Sequence, residues 1–130
     1  MEVEGFSTVF LFAHDLERSV QFYTTLFSEG PSRVREGLLA QFQIGPTRLL
    51  VHSDAHATWL PAGAKKGVGI ALHFKVASAD KQWERLNKLG FPLPEKPESL
   101  HNGTRKFATK DPDGYDIELV EVLPGSPTHS

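Results

Sequence analysis

Glu118 is the residue of this 130-residue chain whose surroundings most demand a chemical explanation. It sits in Asp111-Pro112-Asp113-Gly114-Tyr115-Asp116-Ile117-Glu118-Leu119-Val120-Glu121, where a turn sequence leads into an alternating stretch. Pro112 presets φ and Gly114 accepts φ > 0, so the first four residues read as a tight turn. After it, Tyr115, Ile117, Leu119 and Glu121 share one strand face; Asp116, Glu118 and Val120 share the other. A carboxylate flanked by Ile117 and Leu119 is costly to bury unless something pairs with it or binds it. Three chemistries suit it: general base, metal ligand, or hydrogen-bond acceptor in a polar wall. His52 and His73, each in a β-like run, are the other residues able to do acid–base or metal chemistry. Arg48 and Arg105 begin or lie in strand candidates and suit bidentate pairing with an anion. His14, His56, His101 and His129 fall at a junction, in a central loop, in a polar turn and in a tail. Exposed positions are expected for them.

Composition narrows the setting. Apolar content of 39% and charged content of 23% are those of an ordinary globular protein. A net charge of −2 gives no footprint for nucleic acid or an anionic membrane. No window approaches the roughly 20 apolar residues of a spanning helix, and Met-Glu-Val-Glu-Gly does not read as a signal peptide. The absence of cysteine excludes disulfides and thiolate chemistry. A cytoplasmic protein is the expectation.

The elements that must position these side chains repeat. Residues 6–13 read as a strand with Phe6, Thr8, Phe10 and Phe12 on one face. Asp15 is a helix N-cap, and Leu16, Ser19, Val20, Tyr23, Leu26 and Phe27 form an apolar stripe ending before Ser28-Glu29-Gly30-Pro31. Strands are expected at 32–36, 38–44 and 47–53, the last two joined by Gly45-Pro46. Residues 54–69 lack periodicity and read as a linker or a loop over a site. The order then restarts: a strand at 70–76, an N-cap at Ser78, and a helix over 79–89 with Ala79, Trp83, Leu86 and Leu89 on its apolar face. A Pro-rich connection leads to strands near 104–109 and 115–122. Strand, helix and three strands are therefore written twice, the helix starts Leu16 and Ala79 lying 63 positions apart (79 − 16).

This duplicated unit resembles the vicinal oxygen chelate superfamily of glyoxalase I, bleomycin-resistance proteins and extradiol dioxygenases. Two stretches carry the resemblance. Asp15-Leu16-Glu17-Arg18-Ser19-Val20-Gln21-Phe22-Tyr23 is similar to the family's strand-to-helix "DLxxSxxFY", and Asp111 to Leu119 to its closing "DPDGxxIEL". The resemblance implies an α+β fold of paired βαβββ modules, about 5–53 and 70–123, joined by loop 54–69 within one domain of residues 1–130. It implies curved mixed sheets enclosing a cleft, and a homodimer.

In metal-dependent relatives four strand residues hold a divalent ion. Carried over, the last position falls on Glu118, the first on Thr8 and the third on Ala71. The second falls on Leu50 or, shifted by two residues, on His52. Thr8 and Ala71 are not ligands of that kind. His52 and His73 share strand parity with Leu50 and Ala71, so with Glu118 they could still hold iron, nickel, manganese or zinc as a facial triad. The bland alternative is a polar lining, hydrogen-bonded within itself. The leading expectation is therefore a binding protein for a small organic ligand, requiring no cofactor, with Phe10, Phe12, Phe42, Trp59, Arg48 and Arg105 as contacts. The alternatives are a metal-dependent lyase or dioxygenase using His52, His73 and Glu118, and a metal-free isomerase with Glu118 as base.

Overall fold

The computed structural model describes residues 1–125. The chain divides into two units, one ending at Lys66 and the other beginning at Gly67. The first contains β1 (Thr8–Ala13), α1 (Leu16–Phe27), β2 (Arg33–Arg35), β3 (Leu39–Ile44) and β4 (Thr47–Ser53). The second contains β5 (Ala71–Lys75), α2 (Ala79–Lys88), β6 (Glu98–Ser99), β7 (Thr104–Lys110) and β8 (Asp116–Val122). Each unit forms a four-stranded mixed sheet, in the orders β1-β4-β3-β2 and β5-β8-β7-β6. The expected pair of βαβββ modules is the observed architecture, and neither sheet closes on itself.

Local chemistry explains the helices. Asp15 caps α1 by accepting the Arg18 N–H at 3.2 Å, and Ser78 caps α2 by accepting the Lys81 N–H at 3.2 Å. Glu121 of β8 adds a second bond to α2, accepting the Ala79 N–H at 2.9 Å. The helix ends differ: α1 stops on Ser28 in the left-handed region (φ 59°), α2 just before Gly90 (φ 73°).

Helix-facing side chains make the cores. In the first unit Leu11, Ala13, Leu49 and Val51 are buried with Phe22, Tyr23 and Leu26 of α1. In the second, Phe107, Ile117 and Leu119 are buried with Ala79 and Leu86 of α2. Each large apolar side chain so removed from water contributes about 1.5–3 kcal/mol. The α1 stripe is centred on Ser19, Phe22, Tyr23 and Leu26, slightly rotated from the expected one. Leu89 is exposed because α2 ends at Lys88. Trp83 is half-buried, and its indole N–H donates to the Glu95 carbonyl at 2.9 Å, tying the Pro-rich connection to the helix.

That connection holds the two-residue β6, too short for a periodicity to register. The β7–β8 turn is held by Asp111, whose Oδ1 accepts the N–H groups of Asp113 and Tyr115, each at 2.9 Å. Gly67 lies directly on this turn: a Cβ there would stand 2.5 Å from the Gly114 carbonyl carbon and 2.8 Å from the Tyr115 nitrogen. With φ +76°, only glycine suits the place.

Candidate functional site

Opposite its helix, each sheet presents an open face, and the two differ in chemistry. In the first unit this face carries Thr8, Phe10 and Phe12 of β1 and Arg48, Leu50 and His52 of β4, paired along a parallel ladder. Trp59 comes from the segment after the short 3₁₀ turn Asp54–His56 and covers this surface. Its ring lies 6.1 Å from Phe10, 6.0 Å from Phe12 and 4.9 Å from His52, all edge-to-face. His52 is consequently buried, and its Nδ1 lies 2.8 Å from the Ser53 carbonyl oxygen. A carbonyl only accepts, so Nδ1 carries the hydrogen and Nε2 holds the lone pair of the neutral ring. Arg48 is exposed at the margin. The covering segment is fastened at its ends: Lys66 donates to Asp54 Oδ2 at 3.0 Å, and His14 lies 3.5 Å from the same oxygen. The hydrogen bond from Lys66 holds the Asp54 carboxyl below its ordinary value.

The second unit's open face answers what Glu118 meets. Glu118 and His73 are direct partners in the β5–β8 ladder, and His73 Nε2 lies 2.8 Å from Glu118 Oε2. The Lys106 ammonium donates to Glu118 Oε1. The carboxylate is 16% exposed and the imidazole 54% exposed, so the pair stands at the edge of solvent. Around it lies a hollow of about 470 Å³, with Lys75, Asn102 and Lys106 among its polar walls and Leu100, Val120 and Val122 among its apolar ones. The side chain of Asn102 is oriented by Thr104, whose N–H and Oγ1–H donate to Asn102 Oδ1 at 3.2 and 2.7 Å.

Two expected contacts belong elsewhere. Phe42 is 2% exposed on the helix side of β3, its ring 6.1 Å from Tyr23 and 5.5 Å from Phe27. It is a core residue, not a wall of the open face. Arg105 also points to the helix side, donating from Nε and one terminal nitrogen to Asp80 of α2 and from the other to Ser99. The Asp80 hydrogen bonds push its guanidinium further up, and in this arrangement Arg105 fixes α2 to the sheet. His56 and His101 are exposed, and His129 lies outside the described residues.

The donors do not fit a divalent ion of the expected kind. Thr8 and Ala71 occupy two of the four positions, and Glu118 already bears an ammonium and an imidazole. Among the described residues no three His, Asp or Glu side chains form a group able to hold a metal.

Lys106 was missed in the sequence, yet a signal for it existed. The Asp-Pro-Asp-Gly turn pairs Lys110 with Asp116, which sets Ala108 opposite Glu118 and Lys106 opposite Val120. Lys106 is thereby two residues along from Glu118 on one face, a diagonal neighbour within reach of a long side chain.

Comparison with known proteins agrees with this architecture. The family model described as Glyoxalase/Bleomycin resistance protein/Dioxygenase superfamily matches residues 5–119. A glyoxalase/bleomycin resistance protein/dioxygenase from Nocardioides superposes with a TM-score of 0.78 at 25% identity, covering 100% of this chain and 91% of its own. A lactoylglutathione lyase from Agrobacterium tumefaciens gives 0.75 at 22% identity, covering 96% and 99%. A glyoxalase-related enzyme from Fulvimarina pelagi gives 0.78 at 22%, covering 98% and 94%. No curated protein sequence matches the chain.

Proposed function

The chain belongs to the Glyoxalase/Bleomycin resistance protein/Dioxygenase superfamily, and we propose that it binds a small organic ligand on the open face of its second unit without a metal. One observation carries this reading: both oxygens of Glu118 are engaged, one by Lys106 and the other by His73. A carboxylate neutralised by an ammonium orients its neighbours for hydrogen bonding, and displacing that ammonium would oppose a metal. The aromatic face of the first unit, with Phe10, Phe12 and Trp59 and with Arg48 at its margin, is proposed as a second ligand-contacting surface. Exposed Phe6, Val68 and Ile70 support a homodimer, which light scattering would report as twice the chain mass.

Elemental analysis of purified protein, then titration with Fe(II), Ni(II), Mn(II) and Zn(II), tests the central claim. The expected result is far less than one ion per chain, with no difference between wild type and Glu118→Gln. Stoichiometric metal lost in Glu118→Gln would overturn it in favour of a metal-dependent lyase or dioxygenase. A second reading, proton transfer by Glu118 as general base, draws on the carboxylate's place at the hollow and on His73 Nε2 standing 2.8 Å from it. It predicts a turnover that Glu118→Gln abolishes while ligand affinity survives.

A further inference from the structure

We infer that the ligand of the second unit's hollow is a small organic oxyanion, a carboxylate or a phosphate monoester on a short aliphatic body. This rests on the binding reading above and adds the charge and size of the ligand. The charges around the hollow are unequal. Lys75 and Lys106 line it against one carboxylate, Glu118. Lys106 is already matched to that carboxylate, whereas Lys75 takes part in no ion pair among the described residues. Lys75 stands one pleat along β5 from His73, on the same face, so its ammonium is the excess charge.

Donors outnumber acceptors as well. The Thr104 N–H and hydroxyl occupy Asn102 Oδ1, which leaves the amide NH₂ as the end able to address a ligand. Lys106 donates to one Glu118 oxygen and His73 Nε2 lies 2.8 Å from the other, so a cationic ligand would meet two ammonium groups and a carboxylate already engaged. An anion meets Lys75, Lys106 and the Asn102 amide. Leu100, Val120 and Val122 give its body an apolar seat. The volume of about 470 Å³ lies toward the small end of ligand sites and suits a compact ligand.

Four probes with the same butyl-sized body and different heads test this on the full chain: butyrate, butyl phosphate, butyramide and butylamine. Binding is followed by two-dimensional NMR of ¹⁵N-labelled protein at low salt and again at raised salt. Butyrate or butyl phosphate is expected to shift the Lys75, Asn102 and Lys106 resonances, with affinity falling as salt rises. Lys75→Met, a change at an exposed site that leaves the fold intact, is expected to weaken that binding roughly five- to tenfold. Whichever anion binds more tightly identifies the head group, carboxylate or phosphate. Butyramide or butylamine binding as tightly as the anions, or anion binding untouched by Lys75→Met, would overturn the assignment while the binding reading stands. No shift at the hollow with any of the four would overturn both.

Discussion

Phe10 in β1 and His73 in β5 stand at the same point of two duplicated ladders, and so do Leu50 and Glu118. The correspondence comes from geometry: Thr8 and Ala71 each precede their helix by eight residues (16 − 8; 79 − 71) and pair with Arg48 and Asp116. Two steps on, the first unit sets Phe10 beside Leu50 and the second His73 beside Glu118. A further pleat sets Phe12 beside His52 in one and Lys75 beside Val120 in the other. Leu39, opposite His52, answers to Lys106, opposite Val120. Four charged or polar positions of one face are thus apolar in the other, and the one histidine of the first face answers to a valine. On the helix side the agreement is close: Leu11 with Phe74, Leu49 with Ile117, Val51 with Leu119. The side that packs against a helix and must exclude water is alike in the two units, and the open side is not.

Four measurements would break or sharpen that comparison. Phe42→Ala opens a cavity against α1 and is expected to cost about 3–5 kcal/mol, whereas Phe10→Ala on the open face costs under about 1.5 kcal/mol. Urea unfolding measures both; equal losses would erase the distinction between the sides. On the polar face, Glu118→Gln and Lys106→Met are each expected to cost about 1–3 kcal/mol, because each leaves a partly buried group without its partner. The double variant should lose less than the sum, with a coupling near 1 kcal/mol, and additive losses would mean the ion pair contributes nothing.

The helix ends offer a smaller contrast. Ser28 holds at φ 59° the conformation that Gly90 holds at φ 73°, so Ser28→Gly should stabilise the protein by about 0.5–1 kcal/mol. A lower melting temperature would count against strain at that cap. The smallest effect concerns the segment that covers the aromatic face. Asp54 is held below its ordinary 3.8 by Lys66, so its contribution is complete above pH 3.8 and fades as pH falls through the depressed value. Asp54→Asn should therefore cost about 0.5 kcal/mol at neutral pH and nothing at the acid end. Parallel stability–pH curves for the two proteins would refute the assignment.

Much of the frame was legible because it is local and doubled. Asp15 and Ser78 cap the helices expected of them, and the β7–β8 turn is written out in Asp-Pro-Asp-Gly. The superfamily followed from those same stretches. The site was harder, since parity assigns faces without saying which face receives the helix. Phe10 and Phe12 alternate with Val9 and Leu11, all apolar, and only packing against α1 separates them. Phe42 was misplaced for that reason. Arg105 was misplaced because its partner Asp80 is 25 residues away in sequence, and no spacing announces that bond. Glu118 was found from its own oddity, a carboxylate between Ile117 and Leu119. Its two partners, Lys106 and His73, required the register.

The seat of Gly67 on Gly114 bears on how this chain tolerates change. In a scan of all single substitutions, the cores forgive a swap of one aliphatic residue for another of similar volume. Gly67 has no such neighbour in amino-acid space, because the smallest side chain would meet main-chain atoms that cannot rotate aside. A position that admits only glycine therefore lies in a stretch without periodicity, which the sequence presents as a linker or a loop over a site.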